Sequence, residues 1–416
     1  MNESAMRRAI ERKREGEALS AATWDAIVES YMEGQIGDEQ MAAMLMACVW
    51  RGLTIAEATA LTRAMVESGA TITYPDGMFV LDKHSSGGVS DVVSLVSLPI
   101  VAACGIPVAK LSGRALGHTG GTIDKLEAIP GFNVAPSVEA FMKQVEWIGC
   151  AIAAQSEGFV PADKRLYTLR DRTATVPSIG LIASSIVSKK VSGGAHAFVF
   201  DVKCGSAAFM HDPGQATDLA QALVAISTGF GRKARAVVTD MNEPLGRYIG
   251  TGLEVIEARD VLRGEIDDER TREGCLRVAV EMLELAGMHE PMTAATTALR
   301  EGRAYEKFTA MIAAQGGNVE AMERLAPSAT VTELRATRDG YISEIDAVAL
   351  GNAACELSAH DRLAGIRVNV RVGDAVKRDD VLADLYGAHA HVARINDAFT
   401  IANARPAARP FVYATI

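Results

Sequence analysis

The sequence predicts an α/β protein in three parts: a small discontinuous helical domain, a larger α/β domain with a central mixed sheet, and a C-terminal β-rich subdomain. Three patterns support this fold class. Apolar residues recur at helical spacing through the first seventy residues, strand-like runs alternate with glycine-rich loops and helices from about residue 76, and short strand patterns follow residue 338. With 416 residues, the chain is long enough to bury more than one hydrophobic core.

The N-terminal residues are predicted to form an antiparallel cluster of helices. One helix ends near Gly34 and places apolar residues at the i, i+3, i+4 spacing: Trp24, Ile27, Val28, Tyr31 and Met32. Asp38 is predicted to cap the next helix, which ends near Gly52. Thr54 and Glu57 form the capping box of a third helix.

Residues 162–193 return to a helical pattern, so the helical and α/β domains are both expected to be discontinuous. The predicted boundaries are residues 1–68 and 162–193 for the helical domain, 76–154 and 197–337 for the α/β domain, and 338–416 for the C-terminal subdomain.

Two strand–loop–helix units open the predicted α/β domain. A short apolar run at 78–81 leads into the polar, glycine-containing loop 82–91 and then into an apolar helix at 92–104. A strand at 107–111 leads into a second glycine-rich loop at 112–121. Further elements are expected later in the domain: strands at 198–204 and 236–240, with a helix at 215–228 between them.

The C-terminal subdomain is predicted from turn and strand patterns. Asp339 and Gly340 indicate a turn, and strands at 366–372 and 381–385 are expected to pair around a tight turn at residues 373–374. His389 and His391 lack acidic or thiolate neighbours and are interpreted as surface residues of a loop, not as metal ligands.

Charge and cysteine content limit the function classes. The formal net charge of −10 argues against a nucleic-acid partner, although a few cations can still dominate a small cleft. The first sixteen residues are charged throughout and no apolar stretch reaches membrane-spanning length, so neither a signal peptide nor a membrane partner is expected. Six scattered cysteines without a CxxC pair favour a reducing, cytoplasmic location.

The two glycine-rich loops give the clearest indication of chemistry. The first contains Lys83 with serines and glycines, and it precedes a helix whose N-terminus favours anions. It could equally be a tight polar turn with a solvated lysine, because short glycine motifs have many false positives. The second loop starts at Ser112 and again combines glycines, hydroxyls and a cation, Arg114. Two such loops at successive strand ends predict a single anion-binding crevice.

The motifs around these loops resemble those of the thymidine and pyrimidine-nucleoside phosphorylase family. The segments that carry the resemblance are SGRALGHTGGTIDKLE at 112–127, KHSSGGV at 83–89, PADKRLYTLRD at 161–171, LIASSIVSKK at 181–190 and DVKCGSAAFM at 201–210. They keep the family's order, and the resemblance extends from about residue 10 to residue 385. It implies phosphorolysis of pyrimidine nucleosides in a cleft between two domains, a homodimer, and hinges near residues 66–78, 153–162 and 193–197.

The resemblance also implies roles for single residues, with inorganic phosphate as co-substrate and no organic cofactor. The residues implied to bind phosphate are Lys83, Ser85, Ser94, Ser112 and Thr122. Those implied to bind the nucleoside are Lys110, Arg170, Ser185 and Lys189, and the implied catalytic residues are His84, Arg170 and Lys189. Broad pyrimidine-nucleoside phosphorylases tend to carry lysine at position 110, so cleavage of uridine is expected besides thymidine and deoxyuridine.

The chain departs from the family pattern near the first loop. Ser90 replaces a glycine, which matters if that turn needs a positive φ, and Ala207 replaces another glycine. Some members bind a potassium ion at this turn, and the matching positions here are Ser90, Leu245, Tyr248 and Glu257. Val92 has no hydroxyl to offer such an ion.

Simpler interpretations exist for several of these residues, and two other functions exist for the chain. Ser94 and Ser112 could cap or bridge backbone, and Arg170 could form a surface ion pair with Asp171. Lys189 and Lys190 could be solvated helix residues, and His84 could be a structural hydrogen-bonding residue that moves no proton. The alternative functions are a related glycosyltransferase, such as a nucleotide phosphorylase or a phosphoribosyltransferase, and a catalytically inactive nucleoside-binding protein.

Overall fold

The structure, a computed structural model, describes residues 1–114, 117, 120–155, 158–329, 331–387 and 395–416. Part of the second glycine-rich loop (Ala115, Leu116, His118 and Thr119) and the two C-terminal histidines, His389 and His391, lie outside these residues. Within the described ranges, no helix combines the length and the apolar composition that crossing a bilayer requires.

The N-terminal residues form α1 (Glu3–Arg14), α2 (Ala21–Met32), α3 (Asp38–Arg51) and α4 (Ile55–Glu67). The predicted capping box is confirmed: Glu57 N donates to Thr54 Oγ1 at 3.2 Å, and Thr54 N donates to Glu57 Oε2 at 3.0 Å. The prediction for Asp38 is wrong, because Gly37 is the N-cap and Asp38 is the first helical residue. The Asp38 carboxylate accepts a hydrogen bond from the Tyr31 hydroxyl at 2.9 Å instead of capping the backbone.

The next stretch alternates strands and helices, then returns to helices. Its elements are β1 (Leu81–Ser85), α5 (Val93–Ala103), β2 (Val108–Ser112), α6 (Thr122–Leu126), α7 (Val138–Ile148), β3 (Cys150–Ala154), α8 (Pro161–Arg172) and α9 (Ile179–Ser192). Helix α9 packs on α4, where Ser184 Oγ donates to the Ala58 carbonyl at 3.0 Å. The helical character predicted for 162–193 is therefore confirmed, and these helices join the N-terminal ones.

The second half of the α/β part begins with β4 (Ala197–Cys204), α10 (Pro213–Gly229), β5 (Lys233–Asp240) and β6 (Tyr248–Ile249). It continues through α11 (Thr251–Leu262), α12 (Glu269–Leu285), α13 (Pro291–Arg300), α14 (Arg303–Ala314) and α15 (Val319–Glu323). The remaining elements are β7 (Val331–Arg335), β8 (Gly340–Ile345), α16 (Ala347–Ser358), β9 (Gly365–Val368), β10 (Ala375–Val376), β11 (Val381–Tyr386), β12 (Phe399–Ala402) and β13 (Val412–Thr415).

The central sheet is mixed, as predicted. Its strand order is β13-β5-β4-β1-β2-β3, with β13 antiparallel to β5 and the other neighbours parallel. Helix α5 is buried almost throughout, which explains why it is apolar on all sides. The carboxyl ends of β1, β2 and β4 lie at one edge, where ligands bind in open α/β sheets.

Strand β1 begins later than the sequence predicts. The apolar run at 78–81 is not a strand except at Leu81, and β1 instead contains Lys83, His84 and Ser85. These polar residues form a strand because β4 pairs with the whole segment, from Leu81 beside Ala197 to Ser85 beside Asp201. Tertiary pairing thus overrides their weak strand propensity, and it fixes Lys83 on the sheet instead of on a loop.

The C-terminal residues form two small sheets, with orders β6-β9-β11-β7 and β10-β8-β12. The predicted antiparallel pairing of β9 with β11 is confirmed, but β9 ends at Val368 and the tight-turn prediction is wrong. Residues 369–380 cross to the other sheet, where β10 pairs with β8. Strand β13 lies within the predicted C-terminal subdomain, 338–416, but it pairs with β5 and therefore belongs to the central sheet.

The segments predicted as hinges contact one another. Ala70 N donates to the Gly158 carbonyl at 3.0 Å, and Ile72 N donates to the Ser192 carbonyl at 2.8 Å. Gly194 has φ +78°, and a Cβ atom there would lie 2.2 Å from the Ile72 carbonyl oxygen, so only glycine fits. Hinge motion at these segments stays a prediction.

Candidate active site

Lys83 lies fully buried in β1, at the edge where the parallel strands end. Its Nζ lies 3.4 Å from Ser94 Oγ of α5 and 3.3 Å from Asp201 Oδ2 of β4. Asp201 Oδ2 also pairs with Lys203 Nζ at 2.7 Å. A buried ammonium is costly without an opposite charge, and Asp201 supplies that charge to both lysines.

Ser85 and Asp91 form a hydrogen-bonded pair close to these lysines. Ser85 Oγ donates to Asp91 Oδ2 at 2.6 Å, and Lys125 Nζ donates to the Asp91 carbonyl at 2.7 Å. Burial alone would raise the pKa of Asp91, but the ammonium groups of Lys203, Lys83 and Lys125 hold that pKa far below its usual range. Asp91 is therefore ionised and holds the Ser85 hydroxyl in a fixed orientation.

The second loop begins at the carboxyl end of β2, the strand next to β1, and leads into α6. Ser112 is the last residue of β2, and Thr122 is the first residue of α6, so its backbone N–H is one that the helix leaves without an internal partner. Arg114, the cation noted in this loop, is exposed and pairs with Asp124 at 2.8 Å and Glu127 at 2.7 Å. Its charge is thus directed at carboxylates of its own segment.

Helix α9 ends against the same strands. Lys190 Nζ pairs with Asp82 Oδ2 of β1 at 2.7 Å and donates to the Leu111 carbonyl of β2 at 2.9 Å, all in buried surroundings. Lys189 points elsewhere: its Nζ donates to Ser185 Oγ at 2.8 Å and pairs with Asp163 of α8. The structure therefore brings Ser185 and Lys189 together, and Lys190 ties their helix to the strand that carries Lys83.

The simpler interpretation of Lys189 as a solvated residue is wrong, because its side chain is only 34% exposed and is paired. The interpretation of Arg170 as part of a surface ion pair is also wrong, because it is only 3% exposed and pairs with no carboxylate among the residues that the structure describes. Its guanidinium donates to three backbone carbonyls, those of Thr175, Val176 and Leu181, at 3.3, 2.8 and 3.1 Å. A guanidinium has five N–H groups, so two of them take part in none of these three hydrogen bonds.

His84 and Lys110 lie among these lysines. Burial and the nearby ammonium groups of Lys190, Lys110 and Lys83 hold the pKa of His84 well below its usual value, so its ring is neutral at neutral pH. Lys110 is buried and its Nζ donates to the Lys83 carbonyl at 2.8 Å. Burial and Lys190 also lower the pKa of Lys110.

We expect the ring of His84 to show no titration near the ordinary histidine pKa of about 6.5 in the ligand-free protein. The unfolded chain binds this proton more readily, so the contribution of His84 to stability is lost as the pH falls below that value. Ring nitrogen chemical shifts measured by NMR across this range, assigned with a His84→Gln variant, check the expectation. A titration midpoint at the ordinary value would contradict it.

The four residues matched to the potassium site also come together. Ser90 Oγ donates to the Tyr248 carbonyl at 2.5 Å and lies 3.3 Å from Glu257 Oε2. The Leu245 carbonyl accepts from Arg371 Nη2 at 2.8 Å. A seryl hydroxyl and a guanidinium therefore already occupy the oxygens that a cation would need, and this donor set does not fit a potassium ion.

Some residues of the site were missed from the sequence. Asp82, Asp163 and Lys190 each pair with a residue from a distant segment, so local spacing gave no signal for them. Asp201 and Lys203 stand two apart in a strand and face the same side, which was a usable signal.

Comparisons with known proteins match three segments of the chain. Residues 7–69 match the glycosyl transferase family helical bundle domain, residues 78–305 match the glycosyl transferase family a/b domain, and residues 341–402 match the pyrimidine nucleoside phosphorylase C-terminal domain. A pyrimidine-nucleoside phosphorylase of Geobacillus stearothermophilus is 46% identical over 91% of this chain and 90% of that protein.

The chain is also similar to a second phosphorylase and to a solved structure. A thymidine phosphorylase of Mycobacterium tuberculosis is 46% identical over 91% of this chain and 89% of that protein. The crystal structure of an anthranilate phosphoribosyltransferase from Thermus thermophilus superposes with a TM-score of 0.61 at 21% identity, covering 74% of this chain and 99% of that one. The last similarity concerns the fold alone.

Proposed function

Because the chain belongs to the thymidine and pyrimidine-nucleoside phosphorylase family, we propose that it uses inorganic phosphate to cleave pyrimidine nucleosides into free base and (deoxy)ribose 1-phosphate. The observation that carries the proposal is the buried ammonium of Lys83, 3.4 Å from Ser94 Oγ, on the strand that α9 reaches through the Lys190–Asp82 ion pair. This ion pair supports placing the groups for a heterocycle near the edge of the sheet that carries the groups for an anion.

In the proposed reaction, a phosphate oxygen forms a bond to C1′ of the sugar while the bond from C1′ to the pyrimidine nitrogen breaks. The electron pair of that bond leaves with the base. Lys83 and the hydroxyls of Ser85 and Ser94 are proposed to hold the phosphate, with Ser112 and Thr122 at the second loop. Fixing the phosphate in line with C1′ removes the entropic cost of a bimolecular encounter.

The protein must also stabilise the negative charge that develops on the departing base. We propose that the Lys189 ammonium, the Ser185 hydroxyl and the unused N–H groups of Arg170 stabilise it at the pyrimidine carbonyls and imide. Preorganised donors of this kind act most strongly where water is excluded. The neutral ring of His84 has one N–H, which is proposed to hydrogen-bond to a base carbonyl.

We propose that the sugar specificity is broad. Lys110 is held against the Lys83 carbonyl at 2.8 Å, so a polar group stands beside the proposed phosphate and sugar positions. Thymidine, deoxyuridine and uridine are expected to yield free base and sugar 1-phosphate when phosphate is added, and neither product without it. Chromatographic assay of both products checks this, and activity confined to deoxynucleosides would contradict the broad specificity.

The same assay distinguishes the alternative functions. A nucleotide phosphorylase would release base from nucleoside 5′-monophosphates, and an inactive binding protein would bind nucleoside without phosphate-dependent turnover. The proposal is favoured over the inactive protein because the chain keeps a buried cationic cluster with compensating carboxylates. Lys83 and Lys203 pair with Asp201, Lys203 also with Asp91, and Lys125 with Glu254.

We also propose a homodimer in the cytoplasm. Trp50, 80% exposed at the end of α3, and Met46 on the same helix give an apolar patch that a second copy could cover. All six cysteines are free thiols, which supports a reducing compartment. No step of the proposed reaction involves a potassium ion.

A further inference from the structure

The turn that carries Ser90 is strained and tightly held. Ser90 has φ +55°, a left-handed conformation that residues other than glycine seldom adopt. Such a conformation persists only where its surroundings impose it. Gly246 N donates to the Ser90 carbonyl at 3.1 Å, and Leu245 N donates to the Val89 carbonyl at 3.1 Å. The turn is thereby fixed to the segment that leads into β6.

The Ser90 hydroxyl lies between the oxygens matched to the family's potassium ligands. It donates to the Tyr248 carbonyl at 2.5 Å and lies 3.3 Å from Glu257 Oε2. The Glu257 carboxylate has its own donors, because Arg247 N reaches Oε1 at 2.5 Å and Tyr248 N reaches Oε2 at 3.2 Å. These two backbone hydrogen bonds hold the Glu257 carboxyl in place, although burial outweighs them and raises its pKa to about 7.

The remaining matched oxygen is also occupied. The Leu245 carbonyl accepts from Arg371 Nη2 at 2.8 Å and from Thr271 Oγ1 at 3.4 Å, which uses both of its lone pairs. Arg371 Nη1 donates to the Pro244 carbonyl at 2.6 Å, and Asp268 pairs with the same guanidinium at 2.5 Å. A second cation at this carbonyl would face an arginine that is held firmly in place.

Space at the turn is limited as well. A Cβ atom on Gly246 would lie 2.2 Å from Glu257 Oε2 and 2.5 Å from Ser90 Oγ, so these groups pack directly against the backbone. We infer that this chain dispenses with the potassium ion. In its place, the Ser90 hydroxyl fastens the phosphate loop, residues 86–92, to β6, and the Arg371 guanidinium fastens the adjoining residues 244–245 to the C-terminal region. The inference rests on these contacts and not on the proposed reaction.

The test compares the full-length protein in potassium chloride and in choline chloride at equal ionic strength. We expect the Tm, measured by calorimetry, and the phosphorolysis rate to be the same in both salts. Calorimetric titration of the protein with potassium chloride should show no saturable heat. A Tm that rises saturably with potassium would overturn the inference. Because Tm and binding heat do not depend on turnover, failure of the proposed function would be recognised separately.

A variant tests the part assigned to the hydroxyl. Ser90→Ala keeps the Cβ and removes the bonds to Tyr248 and Glu257, and its Tm should fall by on the order of a few degrees in both salts. Ser343→Ala is the matched control, since that hydroxyl also donates to a backbone carbonyl, Thr400, but on an exposed strand. A Ser90→Ala protein with an unchanged Tm would refute the fastening role.

Discussion

Replacing Lys83 by methionine is expected to lower kcat/KM for phosphate by about 10²–10³-fold, the loss found when one preorganised group that stabilises charge is removed. The ammonium lies 3.4 Å from Ser94 Oγ and is fully buried, so no water can take over its role. Methionine has a similar volume and no charge, which confines the change to electrostatics. Steady-state kinetics with phosphate as the varied substrate measure the effect.

The free energy of unfolding of the Lys83→Met protein must be measured together with its kinetics. Asp201 keeps Lys203 as a partner at 2.7 Å, so the loss should be smaller than the 3–5 kcal/mol, roughly, that a completely unpaired buried charge costs. Lys143→Met is the control, because Lys143 is exposed and pairs with Glu139 on its own helix. A Lys83→Met enzyme that keeps wild-type kcat/KM for phosphate would rule out the phosphate role.

Replacing Lys189 by alanine is expected to lower kcat by about 10²–10³-fold, because its ammonium is proposed to face the departing pyrimidine. The structure holds Lys189 Nζ at 2.8 Å from Ser185 Oγ and against Asp163, so the charge is positioned before substrate binds. Single-turnover assays with deoxyuridine would separate the chemical step from binding and product release.

A substrate with a better leaving group distinguishes charge stabilisation from a structural role. With 5-fluorodeoxyuridine, whose base carries negative charge more readily, the defect of Lys189→Ala should shrink. A structural defect would be the same for both substrates. Lys189→Arg, which keeps the positive charge, should recover part of the activity, and Lys143→Ala should behave as wild type. Equal defects with both nucleosides would contradict the assignment.

Sequence patterns predicted the helices correctly where the residues of one segment are enough to determine its structure. The Thr54–Glu57 capping box and the apolar helix α5 need no distant partner to be recognised. Strand β1 was placed too early because its residues are polar, and only pairing with β4 along its length makes it a strand. The turn pattern at residues 373–374 likewise gave no indication that residues 369–380 cross from one sheet to the other.

In the candidate site, too, some features follow from local sequence and others from long-range contacts. Its cations stand in motifs that can be read along the chain, but the carboxylates that pair with them come from other segments. Asp163 reaches Lys189 from the neighbouring helix, and Asp82 reaches Lys190 across more than one hundred residues of sequence. Arg114 shows the opposite case, since a cation in a glycine-rich loop is committed to Asp124 and Glu127. Which charges are available to a ligand depends on the fold.

The central claim is that a phosphate oxygen held at Lys83 becomes bonded to the sugar while the base departs. Cleavage of thymidine in phosphate labelled with ¹⁸O at every oxygen, followed by mass spectrometry of the sugar product, tests this most directly. The account predicts deoxyribose 1-phosphate that retains all of the label, in amounts equal to the released thymine. Unphosphorylated deoxyribose as the product, or thymine release that continues without phosphate, would contradict it.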